Sequence, residues 1–125
     1  MSDETVSADV RDFLIECIDS VAQLEALLLL RATPQQSWDM PGVASRLFIS
    51  EGQAAQILSG LVACELVVTD GMTFRFHGRD AAQQQLVERV ALSYSQYLVP
   101  VTKLIHDKSA GIRKFANAFK FRKDE

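Results

Sequence analysis

The fold is decided by residues 50–76, which read SEGQAAQILSGLVACELVVTDGMTFRF. Ser50 and Gln53 form a capping-box pattern, which marks the first turn of a helix. Apolar residues then recur with the helical period of about 3.6 residues. Further along, the period changes to two on either side of Asp70-Gly71, a dipeptide typical of tight hairpin turns. The stretch therefore predicts a helix followed by a two-stranded hairpin at about Leu66 to His77.

Helical patterns precede this stretch. The first covers Val10 to Cys17, and the second covers Val21 to Arg31 behind a further capping-box pattern at Ser20 and Gln23. A short third helix is predicted from Asp39 to Leu47, because Asp is a good N-cap and a proline follows in the first turn. The three patterns predict a helical layer that packs in front of the hairpin.

A long helical pattern follows the hairpin, from about Asp80 to His106. Pro100 is its one expected interruption, since proline lacks an N–H and kinks or restarts a helix. Apolar residues along it alternate at spacings of three and four, which is the pattern of a helix–helix seam. The stripe could pack within the chain or against a second copy, and we predict a homodimer. The predicted dimer interface consists of Val87, Val90, Tyr94, Tyr97, Val101 and Leu104.

The order of helix, helix, helix, hairpin and long helix resembles winged helix-turn-helix transcription regulators, in general plan the MarR and PadR types. The residues that carry the resemblance are the short helix Val43 to Leu47, the turn Phe48-Ile49-Ser50, the helix Glu51 to Ala63 and the hairpin centred on Asp70-Gly71. It covers roughly Ser20 to Ile105. The resemblance implies a mainly α fold with a two-stranded β-hairpin wing and a long C-terminal dimerisation helix. It also implies a DNA-binding transcriptional regulator.

The predicted organisation follows from these elements. We expect a disordered acidic N-terminus at residues 1–8, a winged-helix core at 9–79, the long helix at 80–107 and a basic amphipathic tail at 108–125. The chain of 125 residues is long enough for one core. No apolar run approaches the roughly 18 residues of a membrane span, and no signal-peptide pattern is visible. We therefore expect a cytoplasmic protein without integral membrane association.

In winged-helix regulators the helix after the turn lies in the major groove of DNA. Here its outward face has three hydrogen-bonding side chains but no Lys or Arg, and Glu51 at its start would repel a phosphate. Small residues on that face, including Gly60, would let another backbone approach closely. Two interpretations stay open: a DNA-binding regulator, or an adaptor that has lost DNA binding and uses the scaffold for protein contact. The predicted DNA- or partner-binding residues are Gln53, Gln56, Ser59, Arg75 and Arg79.

The hairpin would be the wing. Its second strand alternates Met72, Phe74 and Phe76 with polar residues, which predicts that the apolar side chains face inward. Arg75 on the outer side, and Arg79 just after the strand, could contact phosphates. A solvated strand face is the simpler interpretation.

Charge is divided unevenly along the chain. The net charge is −3 overall, −7 over residues 1–80 and +4 over residues 81–125. The tail combines basic residues with phenylalanines at helical spacing, so it could pack on its own domain, bind a partner protein, or contact nucleic acid or a membrane surface. The predicted tail contacts are Arg113, Lys114, Phe115, Phe119, Lys120 and Arg122.

The sequence offers little that is typical of an enzyme. His77 and His106 lie on different elements, and no phosphate loop, nucleophile elbow or metal motif is present. Cys17 and Cys64 lie in separate apolar segments, and we interpret them as small buried hydrophobes rather than as a disulfide or metal site. We expect no enzymatic activity and no cofactor.

Overall fold

The computed structural model describes residues 6–108, which form helices around one small sheet. In chain order the elements are α1 (Ala8–Cys17), α2 (Val21–Ala32), β1 (Trp38–Asp39), α3 (Met40–Leu47), α4 (Glu51–Ala63), β2 (Val67–Thr69), β3 (Thr73–Phe76), α5 (Ala81–Gln96) and α6 (98–108). The expected mainly helical fold, with a hairpin between the early helices and the last ones, is confirmed.

Helix capping follows the sequence closely. At the start of α4, Ser50 Oγ accepts from the Gln53 N–H and Gln53 Oε1 accepts from the Ser50 N–H, both at 3.1 Å. The predicted capping box is therefore complete. At the start of α2, Ser20 Oγ accepts from the Gln23 N–H at 3.1 Å, but Gln23 Oε1 accepts from the Asp19 N–H at 2.7 Å. In the second predicted capping box, the glutamine side chain therefore bonds to the residue before the N-cap and not to the N-cap itself.

Gln23 also connects α2 to α4. Its side chain is 3% exposed, and its Nε2 donates to the Ile57 carbonyl at 3.2 Å. A Cβ atom placed on Gly60 would lie 2.4 Å from that Nε2, far inside contact distance. The expectation that Gly60 faces outward for a partner is wrong, since the group that approaches it closely belongs to α2 of the same chain.

The sheet has three antiparallel strands in the order β1-β3-β2. The predicted hairpin forms β2 and β3, with Val68 opposite Arg75. The predicted two-stranded hairpin is joined by a further short strand, β1, in which Trp38 pairs with Phe74. The indole of Trp38 is held by its Nε1–H, which donates to Thr33 Oγ1 at 3.0 Å. Two residues are too few to give a period, so the sequence pattern could not reveal this strand.

The prediction that Met72 faces inward is wrong, and the geometry of the hairpin turn explains why. Asp70 Oδ1 accepts from the N–H groups of Met72 and Thr73 at 2.9 and 2.8 Å, and these bonds hold the pKa of Asp70 below its usual value. Gly71 has a φ of +100°, a conformation that glycine adopts without strain. The turn therefore extends through Met72, whose side chain is 80% exposed rather than inward-facing. Phe74, within β3, is half-buried as predicted.

The long C-terminal helix is divided in two. The break lies at Tyr97, three residues before Pro100, and not at the proline itself. An uninterrupted helix would place the proline ring against the carbonyl of the fourth residue before it, which is Gln96, the last residue of α5. Pro100 instead lies in the first turn of α6, where an N–H has no intrahelical partner to lose.

The apolar stripe of α5 and α6 belongs largely to the core. Val87, Val90 and Val101 have no solvent exposure within the single chain. The hydroxyl of half-buried Tyr94 donates to the Glu25 carboxylate on α2 at 2.9 Å, and burial together with this bond raises the pKa of Tyr94 to about 12. The three valines assigned to a dimer interface are thus covered by the chain's own helices, because the stripe packs around the core that includes α1.

Both ends of the described chain meet at α1. Val6 is 3% exposed and belongs to the core, and α1 begins at Ala8, so the boundary predicted at residue 9 lies too late. At the other end, Lys108 Nζ donates to the Ile18 carbonyl at 3.0 Å and lies 2.9 Å from Asp19 Oδ1. Lys108, the last described residue, therefore caps the carbonyls at the C-terminal end of α1.

Candidate functional site

The turn between α3 and α4 is closed by backbone hydrogen bonds. The Ile49 N–H donates to the Ala44 carbonyl at 3.0 Å, and the Phe48 N–H donates to the Ser45 carbonyl at 3.4 Å. This arrangement requires a left-handed residue, a position where glycine is usual. Phe48 occupies it with a φ of 58°, and its side chain is 94% exposed. A bulky aromatic residue in this conformation is uncommon, and it gains no burial within the described chain.

The outward face of α4 is neutral apart from its first residue. The side chains of Gln53, Gln56 and Ser59 are all exposed, as predicted. The side-chain oxygen of Gln53 accepts the capping-box hydrogen bond, so the side-chain NH₂ of Gln53 is the group that could bind a partner. Glu51 is the single charged residue of this helix, and α4 has no Lys or Arg. The face offers amide and hydroxyl hydrogen bonds without positive charge.

The two predicted arginines of the wing differ in setting. Arg75 lies in the middle of β3 with an exposed side chain. Arg79 Nε lies 3.4 Å from Asp80 Oδ2, and Arg79 lines a cavity beside α1. The Gln83 N–H and this arginine hold the pKa of Asp80 below its usual value. Arg75 is therefore the freer of the two cations.

We define the α3–α4 surface as the exposed residues Phe48, Gln53, Gln56 and Ser59. Sequence reasoning missed Phe48 as a site residue. It also missed Arg46, which is exposed at the end of α3 with its guanidinium carbon 6.0 Å from the centre of the Trp38 ring. One signal was available for Phe48: only two residues separate the end of α3 from the Ser50 N-cap of α4, so the chain must turn sharply there, and neither of the two is a glycine.

Other predicted site residues are placed as follows. Tyr97 is 37% exposed at the helix break, and Leu104 is half-buried on α6. The six predicted tail residues, from Arg113 to Arg122, lie outside the described residues, and their contacts stay predictions. His77 and His106 are exposed on separate elements, and residues 6–108 contain no group of three His, Cys, Asp or Glu side chains placed to hold a metal. None of the helices described is both long and apolar enough to span a bilayer.

The geometry defines a class of fold. A short helix, a tight turn and a second helix are followed by a hairpin that packs beside them, which is the winged helix-turn-helix arrangement. The layout expected from the sequence is confirmed by this element order.

Comparison with known proteins adds one structural likeness. No protein-family model matches the chain, and no curated protein is significantly similar to it. A crystal structure of the multiple antibiotic-resistance repressor MarR from Listeria monocytogenes 4b F2365 is similar with 17% sequence identity and a TM-score of 0.47. The likeness covers 84% of this chain and 76% of that one. The winged-helix description rests on the chain's own elements.

Proposed function

We propose that this protein is an interaction adaptor, in which the α3–α4 surface of a winged helix-turn-helix binds another protein. The observation that carries the proposal is Phe48, an aromatic side chain that is 94% exposed in a left-handed backbone conformation. Residues in such conformations tend to occur at functional sites, because the fold alone would favour their replacement. Here glycine would satisfy the turn and remove the exposed ring.

The energetics favour a protein partner with an apolar pocket. Burial of a phenylalanine side chain stabilises a complex by about 1.5–3 kcal/mol. Aromatic anchors surrounded by neutral hydrogen-bonding groups are typical of the centre of protein–protein interfaces. Gln53, Gln56 and Ser59 supply such groups on the neighbouring helix.

Charge argues against DNA as the main partner of this surface. A protein that binds DNA gains much of its affinity by neutralising phosphates with Lys and Arg. The described residues contain eight Lys and Arg against twelve Asp and Glu, and α4 contributes only Glu51 to its own surface charge. A phosphate backbone at the start of α4 would meet a carboxylate.

A DNA-binding transcriptional regulator is the second candidate, and it is favoured by the helix-turn-helix geometry and by two exposed arginines. Arg46 in the last turn of α3 and Arg75 in β3 are both exposed and could each contact one phosphate. Two such contacts per chain would give a slope of about −1.8 for the logarithm of affinity against the logarithm of salt concentration.

Two measurements separate the candidates. Fluorescence polarisation with a pool of labelled duplex DNA from the source genome, at two salt concentrations, tests the regulator. Binding at physiological salt that Arg46→Gln and Arg75→Gln weaken would support the regulator and contradict the adaptor. The adaptor predicts no such binding.

The adaptor is tested directly with a photo-crosslinking residue at position 56, and with one at exposed position 85 on α5 as the control. A protein captured at position 56 alone is then purified, and its affinity for variants is measured. Phe48→Ala should weaken binding at least tenfold, whereas Met72→Ala, which removes another exposed apolar side chain at the wing tip, should leave it unchanged. Equal effects of the two variants would contradict the proposal.

A further inference from the structure

Two helix ends and the start of α5 enclose an open surface cavity of about 330 Å³. The C-terminal half of α1 forms one wall, and the residue that follows α4 forms another. Its lining includes Asp12, Glu16, Cys17, Cys64, Gln83 and Leu86. The cavity is thus the place where both cysteines of the chain meet, although 46 residues separate them in sequence.

The two cysteines are neighbours in the lining of the cavity. Cys17 is the last residue of α1 and Cys64 is the C-cap of α4, and both are free and half-buried. Both side chains line the same cavity, and the Cys64 thiol is one of the groups that raise the pKa of Cys17. Gln83 Nε2 donates to the Cys64 carbonyl at 3.5 Å, which helps to hold that residue at the cavity wall. Both thiols are free and pack against the core as expected from the sequence, but they are half-buried and not fully buried, and they line one cavity.

We propose that Cys17 and Cys64 form a reversible intrachain disulfide when the protein meets a peroxide. Both cysteines lie in the wall of one cavity, so the bond would join two helix ends that the fold already brings together. Both thiols also line an open cavity, so a small oxidant reaches them without unfolding of the domain. The inference does not depend on the proposed function.

The environment assigns a different role to each sulfur. Burial, assisted by the neighbouring thiol, raises the pKa of Cys17 to about 12, so this thiol keeps its proton at neutral pH. Cys64 is therefore the sulfur that attacks the oxidant, and Cys17 is the one that resolves the product.

One molecule of hydrogen peroxide is enough to convert the two thiols into a disulfide. The Cys64 thiolate attacks a peroxide oxygen, the O–O bond breaks, and the departing hydroxide takes up the proton that Cys64 released, which leaves a sulfenic acid. The Cys17 sulfur then attacks the Cys64 sulfur, the S–S bond forms and the S–O bond breaks. The second hydroxide takes the Cys17 proton and leaves as water. Two thiols lose two electrons and two protons, and hydrogen peroxide becomes two waters.

The cross-link would join the end of α1 to the end of α4. The closed loop contains α2, β1, α3 and all of α4, which includes the whole helix-turn-helix unit. Because a disulfide restricts the unfolded chain more when the loop is long, the oxidised protein should melt at a temperature higher by roughly 10 °C.

The test treats the folded full-length chain with hydrogen peroxide and measures thiols after denaturation, together with the intact mass. We expect both thiols to be lost together, with the loss of two hydrogen atoms from a monomeric chain, and dithiothreitol should restore both. In Cys17→Ser, Cys64 should gain oxygen without a monomeric disulfide. In Cys64→Ser, Cys17 should remain a thiol under the same conditions.

Three outcomes would overturn the inference. The wild type could keep both thiols at peroxide concentrations that oxidise the urea-unfolded chain. It could gain oxygen on Cys64 while Cys17 stays reduced, or it could form only disulfide-linked dimers. These readouts on the wild-type chain hold even if a serine variant folds poorly, and circular dichroism checks the fold of each variant.

Discussion

Replacement of Gly60 by alanine tests the packing of α2 on α4. The new Cβ would lie 2.4 Å from Gln23 Nε2, so the amide must move away from its position. That amide donates at 3.2 Å to the Ile57 carbonyl from a side chain that is 3% exposed. The loss of this bond inside the protein costs about 1–3 kcal/mol. The higher helix propensity of alanine offsets about 1 kcal/mol of this cost.

The net expectation for Gly60→Ala is a loss of about 0–2 kcal/mol in the free energy of unfolding, or up to about 8 °C in Tm. Gly52→Ala in the same helix is the matched control, because a Cβ there has Ser50 Oγ at 3.9 Å as its nearest contact. It should be neutral or stabilising by up to about 1 kcal/mol. Urea denaturation of both variants measures the difference.

A double-mutant cycle isolates the contact itself. In the Gln23→Ala background no amide remains beside Gly60, so Gly60→Ala should no longer destabilise the protein. The reasoning is refuted if Gly60→Ala is as stable as Gly52→Ala, or if its cost persists in the Gln23→Ala background.

Three further variants test other features by denaturation or sedimentation. Phe48→Gly should raise the free energy of unfolding by about 0.5–1 kcal/mol, because it relieves the left-handed conformation and sacrifices no buried surface; a loss of stability would show that the ring is packed. Lys108→Ala should cost about 2 kcal/mol, since its charged hydrogen bonds to α1 are lost, whereas Lys103→Ala, at a 72% exposed side chain, should change stability by less than about 0.5 kcal/mol. Because Tyr97, a residue of the predicted dimer interface, is 37% exposed at the break between α5 and α6, Tyr97→Asp should dissociate the predicted homodimer without unfolding it; a monomeric wild type would contradict the dimer.

Local signals predicted the features that depend on neighbouring residues. Ser50 and Gln53 specified the start of α4, and Asp70-Gly71 specified the hairpin, because a cap and a tight turn are decided within a few residues. Met72 was misplaced because alternation does not show where a turn ends and a strand begins.

Features that depend on contacts between distant residues could not be predicted from local sequence patterns. The spacing of Val87, Val90 and Val101 correctly indicated a buried stripe, but periodicity is the same whether the stripe faces its own core or a second copy. The meeting of Cys17 and Cys64 depends on how α1 crosses the end of α4, and no local pattern encodes it. Phe48 was missed because its conformation, and not its residue type, marks it.

The cap that Lys108 forms on α1 has a consequence for the order of folding. It joins residues that are 90 positions apart, whereas α3, α4 and the hairpin contact near neighbours in the chain. Distant contacts carry a larger loop-closure entropy and tend to form late. The helix-turn-helix unit should therefore be largely assembled in the transition state before α6 docks on α1. In that case Lys108→Ala accelerates unfolding and leaves the folding rate almost unchanged. The contact between Lys108 and α1 then determines the lifetime of the native state and not the rate at which it forms.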